Sequence, residues 1–195
     1  MDKTICVFGD STVQAAYIQE GWVDLLRQYL EEKYPRDFVN VYKLGIGGNT
    51  SDDILHRFAS EAQSRAPTAI IFAFGVNDSG YFKVLTRPIV PARRFTANLR
   101  SLITQAKKFC PDITFIGPAL GDDSLLQPFP GSSRGKTYVR GRTEDYNRIL
   151  EKTVTAVGCR FINLLDQLQP ADFQDGLHPN DHGHRRIFET IKNHF

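Results

Sequence analysis

The chain has 195 residues, 41% of them hydrophobic and 24% charged, with a formal net charge of +2 at neutral pH. That length suits one domain with a sizeable core, and the near-balanced charge excludes a nucleic-acid or membrane-surface specialist. No apolar run approaches the ~20 residues of a transmembrane helix. The first apolar run, Thr4-Ile5-Cys6-Val7-Phe8, is β-branched and aromatic and predicts a buried strand. It begins almost at Met1, which leaves no space for a secretory leader, and a cytoplasmic protein is expected. The three cysteines, Cys6, Cys110 and Cys159, have no metal-like spacing; their odd number suits reduced thiols, with Cys6 and Cys159 as core fillers.

Four further runs have strand character: Phe38 to Leu44, Ala69 to Phe74, Ile113 to Ile116 and Phe161 to Leu164. Segments with apolar residues at three- and four-residue steps separate them. Trp22, Leu25, Leu26, Tyr29 and Leu30 mark the first, and Ile54, Phe58 and Ala62 the second. Phe95, Leu99, Leu102, Ile103 and Ala106 mark a third, Tyr146, Ile149, Leu150 and Val154 a fourth, and Ile187, Phe188 and Ile191 a last. Five strands, each followed by a helix, predict a single α/β domain over residues 1–195, a three-layer α/β/α sandwich around a five-stranded parallel sheet. Sites in such sheets open at the carboxyl ends of the strands. Residues 118–140 form the one long irregular stretch, with Pro, Gly and Ser scattered through it.

The strand ends carry the chemistry. After the first come Gly9-Asp10-Ser11, where a helix can begin and its dipole and free N–H groups would favour an anion beside Ser11. The same tripeptide is also an ordinary turn. The second strand runs into Gly45-Ile46-Gly47-Gly48-Asn49-Thr50, either a plain turn or a place where a glycine N–H can approach an oxyanion. It lacks the lysine of a phosphate loop and the glycine spacing of a dinucleotide fold. The third strand runs into Gly75-Val76-Asn77-Asp78, where Asn77 is either a helix cap or an amide donor. After the fifth comes Asp175-Gly176-Leu177-His178-Pro179. Three residues apart in a short turn, Asp175 can reach Nδ1 of His178 and leave Nε2 free as a base, while Pro179 disfavours helical geometry for His178. The alternative is a loop aspartate capping the last helix beside a surface histidine. His178, His182 and His184 have no usual zinc spacing, so no metal and no cofactor are expected; His56 and His194 sit in polar helical surroundings.

Taken together and in this order, the four segments resemble the sequence blocks of the GDSL-type SGNH hydrolases, and the resemblance spans residues 9 to 179. It implies a flavodoxin-like SGNH hydrolase fold and a serine esterase or lipase acting on small-molecule esters or thioesters. It further implies Ser11 as nucleophile, Gly48 and Asn77 as oxyanion donors alongside the Ser11 N–H, and Asp175 with His178 completing the triad. Two departures stand out: Thr12 replaces the eponymous leucine, and Gln14-Ala15-Ala16 stands where a glycine often follows. Leu125, Leu126 and Phe129 are candidate walls of the substrate pocket, and Arg134, Lys136, Arg140 and Arg142 form either a solvated basic loop or a site for an anionic leaving group. Two other classes stay open: a flavodoxin-like module binding a phosphate or nucleotide without turnover, and a silent interaction domain on a hydrolase scaffold.

Overall fold

Alternation along the first strand sends Cys6 and Phe8 into one core layer and Ile5 and Val7 into another, so both faces of the sheet are covered. The structure, a computed structural model, describes residues 2–82 and 87–195. In chain order the elements are β1 (Lys3–Gly9), α1 (Ser11–Gln14), α2 (Trp22–Lys33), β2 (Val39–Gly45), α3 (Ser51–Gln63), β3 (Ala69–Ala73) and α4 (Val76–Ser79). There follow β4 (Tyr81–Phe82), α5 (Ala92–Ala106), β5 (Asp112–Ile116), β6 (Lys136–Thr137), α6 (Arg140–Thr155), β7 (Arg160–Ile162) and α7 (Asp181–Ile191).

Five strands pair in parallel in the order β2-β1-β3-β5-β7. One core layer packs Phe8, Phe72 and Phe115 of the sheet against Phe58 of α3, Phe95 and Leu99 of α5 and Tyr146 and Leu150 of α6. Its rings make a continuous contact, with Phe72 stacked on Phe115 at 4.8 Å and Phe8 edge-on to Phe58 at 5.0 Å. The opposite layer sets Val7 and Ile71 against Trp22 and Leu26 of α2 and Ile187 and Ile191 of α7. Cys6 and Cys159 belong to the aromatic layer, as expected of core fillers.

The chain goes from β1 to β2 on one side of the sheet and then to β3 on the other, so β1 and β3 flank the switch point where such sheets open a site. β2 begins one residue later than the sequence predicts, because Phe38 stands outside the sheet with 68% of its surface exposed. β7 ends at Ile162, two residues short of Leu164, which turns into the α2–α7 layer instead. The antiparallel pair β4–β6 has no counterpart among the predicted strands; it matches Tyr81 with Thr137 and Phe82 with Lys136.

Candidate active site

Asp10 follows β1 directly and starts the next turn by accepting the Thr12 N–H at 3.0 Å. Ser11 is thus the first residue of α1. That helix is a single turn, closed by Ala15 at φ 62°, so the dipole expected behind Ser11 is small. What remains for an anion is the N–H itself. Among the described residues neither the N–H nor the Oγ of Ser11 has a protein hydrogen-bond partner.

The glycine loop after β2 is tied to α1 by Gln14, whose Oε1 accepts the Gly47 N–H at 2.7 Å. Gly48 has φ +80°, a left-handed conformation that costs any residue with a Cβ roughly 1 kcal/mol or more. Its N–H also meets no protein acceptor among the described residues. Arg57 of α3 secures both strand ends, donating from Nη2 to Gly9 O (3.1 Å) and Leu44 O (2.8 Å) and from Nε to Asn49 Oδ1 (2.9 Å).

Asn77 does not cap α4; Gly75 does, and Asn77 lies inside that turn, buried. Its Oδ1 accepts from Lys136 Nζ at 2.6 Å and from Tyr138 Oη at 3.0 Å. An ammonium has no acceptor, so the atom it touches must be the amide oxygen, which fixes the orientation of the side chain. Nδ2 then faces Asn49 O at 3.1 Å and, at a longer 3.4 Å, Asp10 Oδ2.

The neighbouring Asp78 accepts the Ser51 N–H at 2.9 Å and locks α4 to the start of α3. Burial pushes its carboxyl up to about 7, outweighing the bonds from Ser51. A carboxyl whose folded value lies above its unfolded one contributes stability that is full near pH 4 and lost as pH rises through about 7. Asp78→Asn keeps an acceptor for the Ser51 N–H and abolishes the titration. Melting temperatures from pH 4 to 8 should therefore decline more steeply for wild type than for the variant; parallel curves would refute the assignment.

The last loop presents the acid–imidazole pair. Asp175 Oδ1 accepts the N–H groups of Leu177 (3.0 Å) and His178 (2.8 Å), and Oδ2 lies 2.7 Å from His178 Nδ1. Burial works to raise the Asp175 carboxyl, but these hydrogen bonds overcome it and hold it below the ordinary carboxylate range. The imidazole has Tyr17 edge-on at 5.1 Å and Phe129 at 5.8 Å. Ser11, Gly48, Asn77 and His178 all border one cavity of about 300 Å³, floored further by Phe129 and Lys136. No hydrogen bond joins Ser11 Oγ to His178, although both border the same cavity. The arrangement brings a hydroxyl, a carboxylate-oriented imidazole and uncommitted N–H donors to one space, the parts acyl transfer requires.

Of the predicted pocket walls, only Phe129 faces this cavity. Residues Asp123–Leu126 form a 3₁₀ turn capped by Asp122, which turns Leu126 into a cluster with Val76, Leu120 and Leu177 and leaves Leu125 54% exposed. The basic group is also divided. Arg134 and Lys136 border the cavity, whereas Arg140 pairs with Asp166 and Glu144, and Arg142 lies over the Tyr81 ring. His184 is buried and accepts the Trp22 N–H at 3.2 Å, and burial drops it to about 4, so it stays neutral. No helix among the described residues is long and apolar enough to cross a membrane.

The sequence matches the GDSL-like lipase/acylhydrolase family over residues 7–186. The chain belongs to that family. Its relatives include a GDSL esterase/lipase of Arabidopsis thaliana, 26% identical across 100% of this chain and 86% of the plant protein. An isoamyl acetate-hydrolyzing esterase 1 homolog of Bos taurus is 32% identical across 96% of this chain and 79% of its own length. Among solved structures, the acetylxylan esterase Axe2 of Geobacillus stearothermophilus shares the fold, with a TM-score of 0.77 at 19% identity over 98% of this chain and 93% of that one. This GDSL-family chain is therefore a serine ester hydrolase acting on a small-molecule ester, and neither the turnover-free binding module nor the silent scaffold is favoured. Within the GDSL-family site, Tyr17, Arg57, Lys136 and Tyr138 went unforeseen in these roles. Lys136 was noted only as part of a basic cluster, and nothing local in sequence marks the other three.

Proposed function

We propose that the chain works as a single catalytic domain in which Ser11 is the nucleophile, His178 the general base and Asp175 the group that orients it. The observation carrying this is that Asp175 engages Nδ1 of His178 at 2.7 Å while His178 and Ser11 border the same cavity. With Nδ1–H held by the carboxylate, Nε2 is the free lone pair and takes the Ser11 proton as Oγ attacks the ester carbonyl. The N–H groups of Ser11 and Gly48 stabilise the oxyanion together with Asn77 Nδ2, which keeps its bond to Asn49 O and exchanges its long 3.4 Å contact with Asp10 Oδ2 for the oxyanion, each such donor being worth roughly 10²–10³ in kcat. His178 then gives its proton to the departing alkoxide, and water, activated by the same imidazole, releases the acid from the acyl-serine.

A short acyl group, acetate above all, is the proposed acid portion. Two relatives are named for acetyl esters, isoamyl acetate and acetylxylan. Three buried free thiols support a reducing, cytoplasmic setting. The test is direct: a fluorophosphonate probe should label wild type at Ser11, located by peptide mass spectrometry, and block p-nitrophenyl acetate hydrolysis. Modification elsewhere, or hydrolysis that survives full labelling, would sink the assignment.

A further inference from the structure

Asn77, assigned above as an oxyanion donor, is held at its amide oxygen by Lys136 and Tyr138. Lys136 lies in the β4–β6 pair, opposite Phe82. Its main chain is fully held: its N–H donates to Ser132 Oγ at 2.9 Å and its carbonyl accepts the Phe129 N–H at 2.8 Å. From there the ammonium reaches Asn77 Oδ1, and among the described residues it makes no ion pair. Tyr138, two residues on, completes the grip on the same oxygen.

We propose that Lys136 is a positioning residue for ester hydrolysis: its ammonium, helped by the Tyr138 hydroxyl, fixes Asn77 Oδ1 and polarises the carboxamide so that Nδ2 is a stronger donor to the developing oxyanion. The inference rests on the assignment of Asn77 to the oxyanion hole. A hydrogen bond to a charged donor is stronger than one to a neutral donor, and withdrawing electron density at Oδ1 makes the Nδ2 protons more positive. The effect grows as negative charge appears on the substrate, so it belongs to the transition state and to kcat rather than KM.

The charge state of Lys136 then matters. Burial lowers it to about 8, although Asp10 at the end of β1, Asp53 of α3 and Asp78 of α4 each favour the charged form. Arg134 and His178 border the same cavity, and Tyr138 lies beside the ammonium, its hydroxyl pushed by burial beyond the range of the assay. The wild-type enzyme should therefore lose kcat as pH passes about 8, where the lysine gives up its proton.

Three variants test this against p-nitrophenyl acetate, each with a melting curve. Lys136→Met should lower kcat roughly 10- to 100-fold, less than outright loss of an oxyanion donor, with KM nearly unchanged. Lys136→Arg should recover most of that rate and keep it constant up to pH 10, because a guanidinium does not titrate there. Tyr138→Phe should cost less than tenfold and retain the alkaline decline. A Lys136→Met enzyme as fast as wild type, or a Lys136→Arg enzyme with the wild-type decline, overturns the proposal. Should Lys136→Met fail to fold, the Arg profile alone decides. Fluorophosphonate labelling of Ser11 in every variant separates the two ideas: labelling without a kcat change defeats the role of Lys136 only, while activity independent of Ser11 defeats the underlying mechanism.

Discussion

Ser11→Ala is expected to remove nearly all turnover of p-nitrophenyl acetate, a loss of roughly 10⁶ in kcat if the background is low, while the melting temperature stays where it was. The two halves of that result have separate causes. Ser11 Oγ has no protein partner among the described residues, so deleting it orphans no buried group and leaves the Cβ packing intact. The Ser11 N–H also survives the substitution, as does the Thr12–Asp10 bond that begins the turn. The variant should thus keep its oxyanion donors and lose only the atom that attacks. Kinetics and calorimetry on the same preparation check it, and activity within tenfold of wild type would remove Ser11 from the chemistry.

Asp175→Asn should cost less than loss of the nucleophile but still about 10⁴ in kcat, again with the fold retained. The carboxylate divides its work: Oδ1 accepts two backbone N–H groups and Oδ2 faces the imidazole. An asparagine will keep its oxygen toward those two donors, since an amide NH₂ there would meet N–H groups head-on. Its nitrogen is then left facing His178 Nδ1, which must become an acceptor. The ring proton moves to Nε2, and the atom that should take the Ser11 proton already carries one. Nitrogen chemical shifts of the imidazole would report the exchanged tautomer directly. An unchanged tautomer with unchanged rate would show that Asp175 does no more than shape the loop.

How much of this was written plainly in the sequence depends on distance along the chain. The five strands and their helices were legible because each repeats an apolar residue at a fixed step, and both faces of the sheet demand it. That Ser11, Gly48, Asn77 and His178 gather around one space was legible because a parallel sheet delivers its strand ends to one edge. The stretch from 118 to 140 has no period, so two-residue strands and a 3₁₀ turn left no signature there. Leu125 and Leu126 illustrate the point: adjacent and alike in sequence, one ends exposed and the other buried because a single turn rotates between them. Arg57 is more opaque still. It sits among other polar residues of α3, and its value lies in three acceptors contributed by two strand ends and a loop.

The pairing of β4 with β6 also sets what this enzyme can tolerate as it diverges. Only two residue pairs define the register, and alternate residues of a strand point to opposite sides. Removing or adding one residue between Phe129 and Lys136 would offer Asn77 a neighbour of Lys136 in place of the lysine. The segment from Pro130 to Gly135 therefore acts as a ruler: Ser132 anchors it through the Lys136 N–H, and its count is fixed by an amide on the far side of the cavity.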